Sequence, residues 1–270
     1  MVTHLIWVDF FLENSYHKLM NGILPLFKTH YSLGKSILNL SLVDNEAEES
    51  DSVFSILKEN NLNELILVED GMTGFLEAYK HSNELGIKLI FGLRLTICSD
   101  IENKTSDSLK TNNKIIIFIK NNNGYLKLIK IFTLSARTGF YYEPRIDYKN
   151  LKKLWNDDDL MLAIPFYDSY IFKNILEGGV CVPEFEFTEP TYFLESNDLP
   201  FDEIIEKKIL KVAKETQKTQ SIYYKNKKDF KAYLTFRCIN NRSTLDKPEL
   251  QHMTSDEFCT EGWREKNEKI

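Results

Sequence analysis

Hydrolysis of a phosphoester by metal-activated water needs histidines and carboxylates converging on one point, because each ion must be held by three or more ligands. The chain carries five histidines, His4, His17, His30, His81 and His252, and no two are near enough to form an H-x-H or H-x-x-x-H pair. Carboxylates alone can still hold magnesium. The acids best placed for catalysis are Glu69 and Asp70, at the carboxyl end of the apolar run 64–68, where α/β folds collect working groups. Both are equally suited to cap the helical segment that follows, so the two readings stay open. No G-x-x-x-x-G-K-[ST], G-x-G-x-x-G or G-x-S-x-G occurs, which removes the common phosphate loops and the esterase elbow. Cys98, Cys181, Cys238 and Cys259 are widely spaced and include no C-x-x-C, so reduced thiols in a cytoplasm are expected. Nine lysines between 207 and 231, with Tyr223 and Tyr224 among them, mark the one region suited to DNA; a solvated helix and loop is the plainer reading.

The elements that must position these residues follow from periodicity. At 270 residues, 43% apolar and 27% charged, the chain can bury a core without disulfides or metals. Its net charge of −6 argues against a surface devoted to nucleic acid. No apolar run reaches the roughly 18 residues of a spanning helix. Asp9, Glu13 and His17 interrupt any leader, so no membrane role is expected. An acidic run at 45–51 reads as solvated, and Ser52 is available to cap a helix carrying Val53, Phe54, Ile56 and Leu57. Strands are predicted at 64–68, 87–91, 115–119 and 160–164, with helices at 74–85, 125–132 and 170–176 between and after them. Pro183, Pro190 and Pro200 confine the strand-like 181–194 to edge or loop roles, and 203–215 reads as a surface helix. Alternating strands and helices predict an α/β fold with a largely parallel sheet, open or barrel-shaped.

Six segments in order carry a resemblance. Thr29-His30-Tyr31-Ser32-Leu33 resembles an H-x-H-[ST]-x-Y-S-L opening, and residues 67–80, LVEDGMTGFLEAYK, resemble a strand, acidic turn and helix. Residues 86–92, GIKLIFG, are similar to GIKPIIG; 121–128, NNNGYLKL, to N-x-x-G-Y-x-x-L; 139–147, GFYYEPRID, to GFYYxPRID; and 238–248, CINNRSTLDKP, to C-I-x-x-G-x-T-L-x-D-P. Together they resemble the PHP (polymerase and histidinol phosphatase) domain of bacterial replicative DNA polymerases of the alpha-subunit type. The resemblance implies a distorted (β/α)7-like barrel over 26–231. It also implies an N-terminal extension at 1–25, and a linker or seam toward a polymerase core at 232–270, where Phe258 and Trp263 either anchor the partner or close this domain's own core.

Departures from the family fall on its metal site. Leu26 and Lys28 stand at the first H-x-H, Glu69 and Asp70 at the T-D-H turn, Arg94 at an acidic ligand, and Ser221 and Tyr223 at the N-D-x-H. Two cations where a dication belongs repel it, so the resemblance implies no metal cofactor, and Lys28 and Arg94 would pair with Glu69 and Asp70 as a plug. Tyr141, Tyr142, Pro144, Arg145 and Asp147 would form a structural motif. The leading expectation is a metal-free structural module in DNA replication, with a polymerase core or another replisome protein as partner. The chain ends before the palm domain of such polymerases, so no polymerase activity of its own is expected. One alternative is a Mg- or Mn-dependent phosphoesterase or 3′–5′ exonuclease using Glu69, Asp70 and carboxylates such as Asp147 or Asp168. The other is a stand-alone mimic with a regulatory role.

Overall fold

The computed structural model describes residues 22–42, 51–246 and 255–269. His4, His17, His252, most of the acidic run and nearly all of the 1–25 extension lie outside the described residues.

Eight strands form the sheet: β1 (Leu24–Phe27), β2 (Glu64–Glu69), β3 (Lys88–Cys98), β4 (Asn113–Ile119), β5 (Arg145–Asp147), β6 (Leu160–Ile164), β7 (Thr191–Leu194) and β8 (Glu215–Ile222). Because β2 pairs with both β1 and β3, seven of them close into a barrel running β1-β8-β7-β6-β4-β3-β2. All neighbours are parallel except β4, which runs against β3 and β6. The short β5 sits outside the ring against the far end of β3.

Strand periodicity explains the closure. Side chains alternate between faces, and one parity (Leu24, Leu26, Ile66, Val68, Ile116, Phe118) meets inside the barrel with Ala163 and Phe193. The other parity, including Phe27, Leu65, Leu67, Phe91, Ile115 and Ile117, packs under the helices. Strands buried on both faces must be nearly continuous in apolar residues, as ELILVE and NKIIIFI are.

The helices lie outside this ring, and five of the eight described begin at a side-chain cap. In α1 (Val53–Glu59), Ser52 Oγ accepts from the Phe54 amide at 3.2 Å. The next helix, α2 (Phe75–Leu85), ends at Gly86, whose φ of +66° suits a residue without Cβ. Asn121 caps α3 (Asn122–Arg137), Asp147 caps α4 (Tyr148–Leu154) and Ser169 caps α5 (Tyr170–Leu176). The set closes with α6 (Asp202–Val212), α7 (Phe230–Asn241) and α8 (Thr260–Asn267).

Three expectations need correction. Residues 191–194 are an interior barrel strand, with Thr191 to Leu194 all buried, because the prolines fall outside them. The helix expected at 203–215 stops at Val212, and Glu215 opens β8, a polar strand held by backbone pairing to β1 and β7 on its two sides. Phe258 and Trp263 turn inward: Phe258 is fully buried against Tyr167 and Tyr223, and the Trp263 indole donates to the Ile23 carbonyl at 2.7 Å.

Candidate functional site

The barrel is filled by its apolar interior cluster, and the polar groups gather at the end where the parallel strands terminate. Lys28 continues the inward parity of β1 one residue past its end. It is 4% exposed, and its Nζ lies 2.6 Å from the Asp70 carboxylate just beyond β2. Arg94 projects inward from β3, since it pairs in register with the inward Ile116, and its guanidinium is 2.5 Å from Asp168. One register step on, Lys114 of β4 is 2.6 Å from Glu143 and also donates to Thr96 Oγ1. Three adjacent cation–carboxylate pairs therefore line the mouth.

Their electrostatics are mutual. Burial by itself would raise the Asp70 pKa, but the charges of Lys28, Arg94 and Lys114 outweigh it and hold the carboxyl well below the usual carboxylate range. Burial would likewise lower Arg94, and Asp168 and Asp70 reverse that, leaving the guanidinium more firmly protonated. For Lys28 burial wins, and its pKa is lowered despite Asp70.

Glu69 makes no ion pair in the expected plug. Fully buried, it accepts from the Thr29 amide at 2.9 Å, from Thr29 Oγ1 at 2.6 Å and from the Ser32 hydroxyl. Burial pushes its pKa up against these donors and Lys28. Neither Glu69 nor Asp70 caps α2, whose first turn follows Gly74 without a side-chain cap. Arg94 takes Asp168 as its partner in place of Glu69 or Asp70.

Leu26, Ser221 and Tyr223 reach the same mouth and line a cavity of about 30 Å³ together with Lys28, Arg94 and Glu195. That is room for a water or two. Glu195, just past β7, accepts from the Ser221 amide at 3.1 Å and hydroxyl at 2.8 Å. A divalent cation does not fit this donor set. Buried Lys28 and half-buried Arg94 occupy the mouth, and among the described residues no group of three His, Cys, Asp or Glu is arranged to hold an ion.

Of the remaining candidates, Asp147 is remote from the mouth. It ends β5, caps α4 through the Asn150 amide at 2.7 Å and accepts from the Ile101 amide. Arg145 is fully buried and donates to the carbonyls of Gly139, Ile101 and Asn103 at 3.2 to 3.4 Å, with its guanidinium 5.0 Å from the Tyr141 ring. Tyr142 is exposed at a φ of +63°, and Pro144 is half-buried. His30 and His81 lie apart from the mouth cluster, each ring nitrogen meeting a carbonyl, of Leu38 and Leu40. The lysine-rich region divides between α6, β8 and the turn after it. Lys207, Lys214, Lys225 and Lys227 are there paired with Glu203, Glu189, Glu59 and Glu257.

Glu195, Lys114 and Glu143 were not legible in the sequence as site residues, and Asp168 only as a fallback ligand. One signal was present: Asp168 and Glu195, like Asp70, lie just past the end of a barrel strand.

The PHP domain family model matches residues 28–218. The DNA polymerase III subunit alpha of Aquifex aeolicus is 28% identical over 190 residues, covering 64% of this chain and 16% of that protein. The corresponding proteins of Borreliella burgdorferi and Thermus aquaticus are 35% and 25% identical over 42% and 81% of this chain, covering 10% and 19% of their own lengths. The chain thus matches less than a fifth of each of these relatives. Among the described residues no helix is long and apolar enough to cross a membrane.

Proposed function

The chain belongs to the PHP domain family, and on that premise we propose that it acts in DNA replication as the PHP component of an alpha-subunit-type polymerase, a metal-free structural and interaction module. The observation that carries this reading is the pairing of Lys28 with Asp70 and Arg94 with Asp168. Each ammonium or guanidinium supplies, from within the chain, the positive charge a metal would bring, so Asp70 and Asp168 are neutralised without an ion. Such a site can hold the barrel closed and present its outer surface, but it cannot lower the pKa of a bound water. The polymerase core is the proposed partner because the relatives it resembles are polymerase alpha subunits matched over a small part of their length.

Elemental analysis of protein purified with zinc and manganese supplied tests the site, with no stoichiometric ion and no manganese-dependent nuclease activity expected. Two or more tightly held ions per chain would overturn the reading and restore the phosphoesterase. Affinity purification from the native cell tests the partner, and recovery of a palm-containing polymerase subunit is expected.

A further inference from the structure

Charge is spread unevenly along the chain. Residues 120–153 carry eight Lys and Arg against two Glu and Asp, within a chain whose net charge is −6. They build α3, the corner after it, β5 and α4, and the two helices pack on each other. Three of the eight cations are engaged: Lys127 with Asp159, Lys120 with the Asp157 carbonyl, and Arg145 inside the corner. The other five, Lys130, Arg137, Lys149, Lys152 and Lys153, are exposed and pair with no carboxylate among the described residues. Both acids of the segment are engaged as well, Glu143 by Lys114 and Asp147 by the first turn of α4. Exposed acids stand beside it on the loop that Arg145 holds (Asp100, Glu102) and after α4 (Asp157, Asp158), four against these five cations and Lys104.

The same segment holds two aromatic rings outward. Phe140 is 50% exposed and Tyr142 78%. Tyr142 sits at the apex of the turn in which the Tyr141 amide donates to the Glu143 carbonyl, at a φ of +63°, where an aromatic residue is uncommon. Tyr141 meets the Tyr142 ring edge-on at 4.7 Å and is itself held 5.0 Å from the Arg145 guanidinium. The Tyr142 ring is thus steadied on one side and open to solvent on the other. Its burial does not offset the backbone conformation, and residues held in such conformations cluster at ligand clamps.

We propose that the face formed by α3, the 140–142 turn and α4 binds single-stranded nucleic acid, with phosphates on Lys130, Arg137 and the α4 lysines and a base stacked on Tyr142. Unpaired cations attract any polyanion, and exposed rings beside them select one that offers flat, unpaired bases. A duplex keeps its bases inside and an acidic peptide has none, so both would leave the rings unused. Lys130 and Arg137 lie two turns apart on one face of α3, about 10 Å along its axis. Between them Thr133 and Leu134 line an open depression of about 530 Å³ that a strand can follow. The site goes beyond the replication module, since it needs neither a polymerase core nor the barrel mouth, and its failure would leave that proposal standing.

The test is fluorescence anisotropy of a labelled oligothymidylate of about 20 nucleotides, titrated with the full chain at a series of salt concentrations. Saturable binding at micromolar protein and low salt is expected. The double variant Lys130→Gln/Arg137→Gln should weaken it at least tenfold and reduce the salt slope by about 1.4, the change for two lost phosphate contacts on a single strand. Tyr142→Gly, which suits the positive φ, should weaken it at least fivefold with the slope unchanged. Lys207→Gln/Lys214→Gln, at lysines already paired with Glu203 and Glu189, should bind as wild type does. Unchanged melting temperatures would show that these surface variants are folded. Absence of saturation, or wild-type affinity in either the Lys130→Gln/Arg137→Gln or the Tyr142→Gly variant, overturns the proposal. Equal affinity for a duplex of the same length, or equal competition by polyglutamate, also overturns it and assigns the face to duplex or to an acidic protein.

Discussion

At the scale of single residues, the mouth of the barrel is governed by which partner each charge finds. Lys28 is nearly inaccessible, whereas the Asp70 side chain keeps 31% of its surface, so the pair is solvated from one side only. Replacing Lys28 by Met leaves the partly exposed Asp70 without its main counter-charge and should cost about 1–3 kcal/mol, the range for a polar group left unpaired. The double variant Lys28→Met/Asp70→Leu should recover most of that loss in chemical denaturation, and equal destabilisation of the two would show that the pair is not what matters. Lys35 gives a pH signature. Its folded pKa, about 8, lies below the unfolded value of 10.5, so the folded state is penalised while both forms are protonated. That penalty fades as pH rises from about 8 to about 10.5. The stability gap between wild type and Lys35→Met should therefore narrow over this window, measured by urea unfolding at a series of pH values. A gap constant with pH would mean Lys35 is solvated.

At the scale of elements, the sequence motifs mark places where backbones touch. A Cβ on Gly124 would fall 2.1 Å from the Asp159 carbonyl oxygen, and one on Gly139 would fall 1.9 Å from that of Arg145. The glycines of NNNGYLKL and GFYYEPRID are thus required where α3 meets the strand ends, not for catalysis. Arg145 completes this joint by closing the carbonyls of the loop 101–103 and of Gly139 over β5. Truncating it to Ala leaves several buried acceptors unpaired and should lower stability by about 3 kcal/mol in thermal or chemical denaturation. An unchanged melting temperature would mean that the joint is held by packing alone.

At the scale of the whole molecule, the barrel depends on segments distant in sequence. Beyond its Trp263 contact with the chain entering β1, α8 places Lys266 within 2.8 Å of Gln220 Oε1 and 3.3 Å of Glu257. Phe258 and Cys259 are fully buried beside it. A chain truncated after Asp246 loses this closure and should be destabilised by on the order of 5 kcal/mol, from the apolar burial removed, with loss of cooperative melting in circular dichroism. Retention of a sharp, unshifted transition would assign the C-terminal segment to a linker, and the seam would then begin at α7.

The sequence by itself determined the class of fold, the order of most strands and helices and the family, because a strand buried on both faces is apolar over its length and a packed helix repeats its apolar residues at helical spacing. The motif order also grouped Leu26, Lys28, Glu69, Asp70, Arg94, Ser221 and Tyr223; in the structure all but Glu69 lie at one mouth through the cavity lining or the Lys28–Asp70 pair, and Glu69 is turned to Thr29 and Ser32. Tertiary structure alone decided the pairing of charges. Arg94 and Asp168 are 74 residues apart and meet only when β3 and the loop after β6 converge. The polar β8 was illegible for the same reason. Its residues ETQKTQSI carry little strand signal, and they are extended because β1 and β7 pair with the backbone on both sides. Charge partners and closing strands are properties of the assembled barrel, whereas periodicity and capping act within a few residues along the chain.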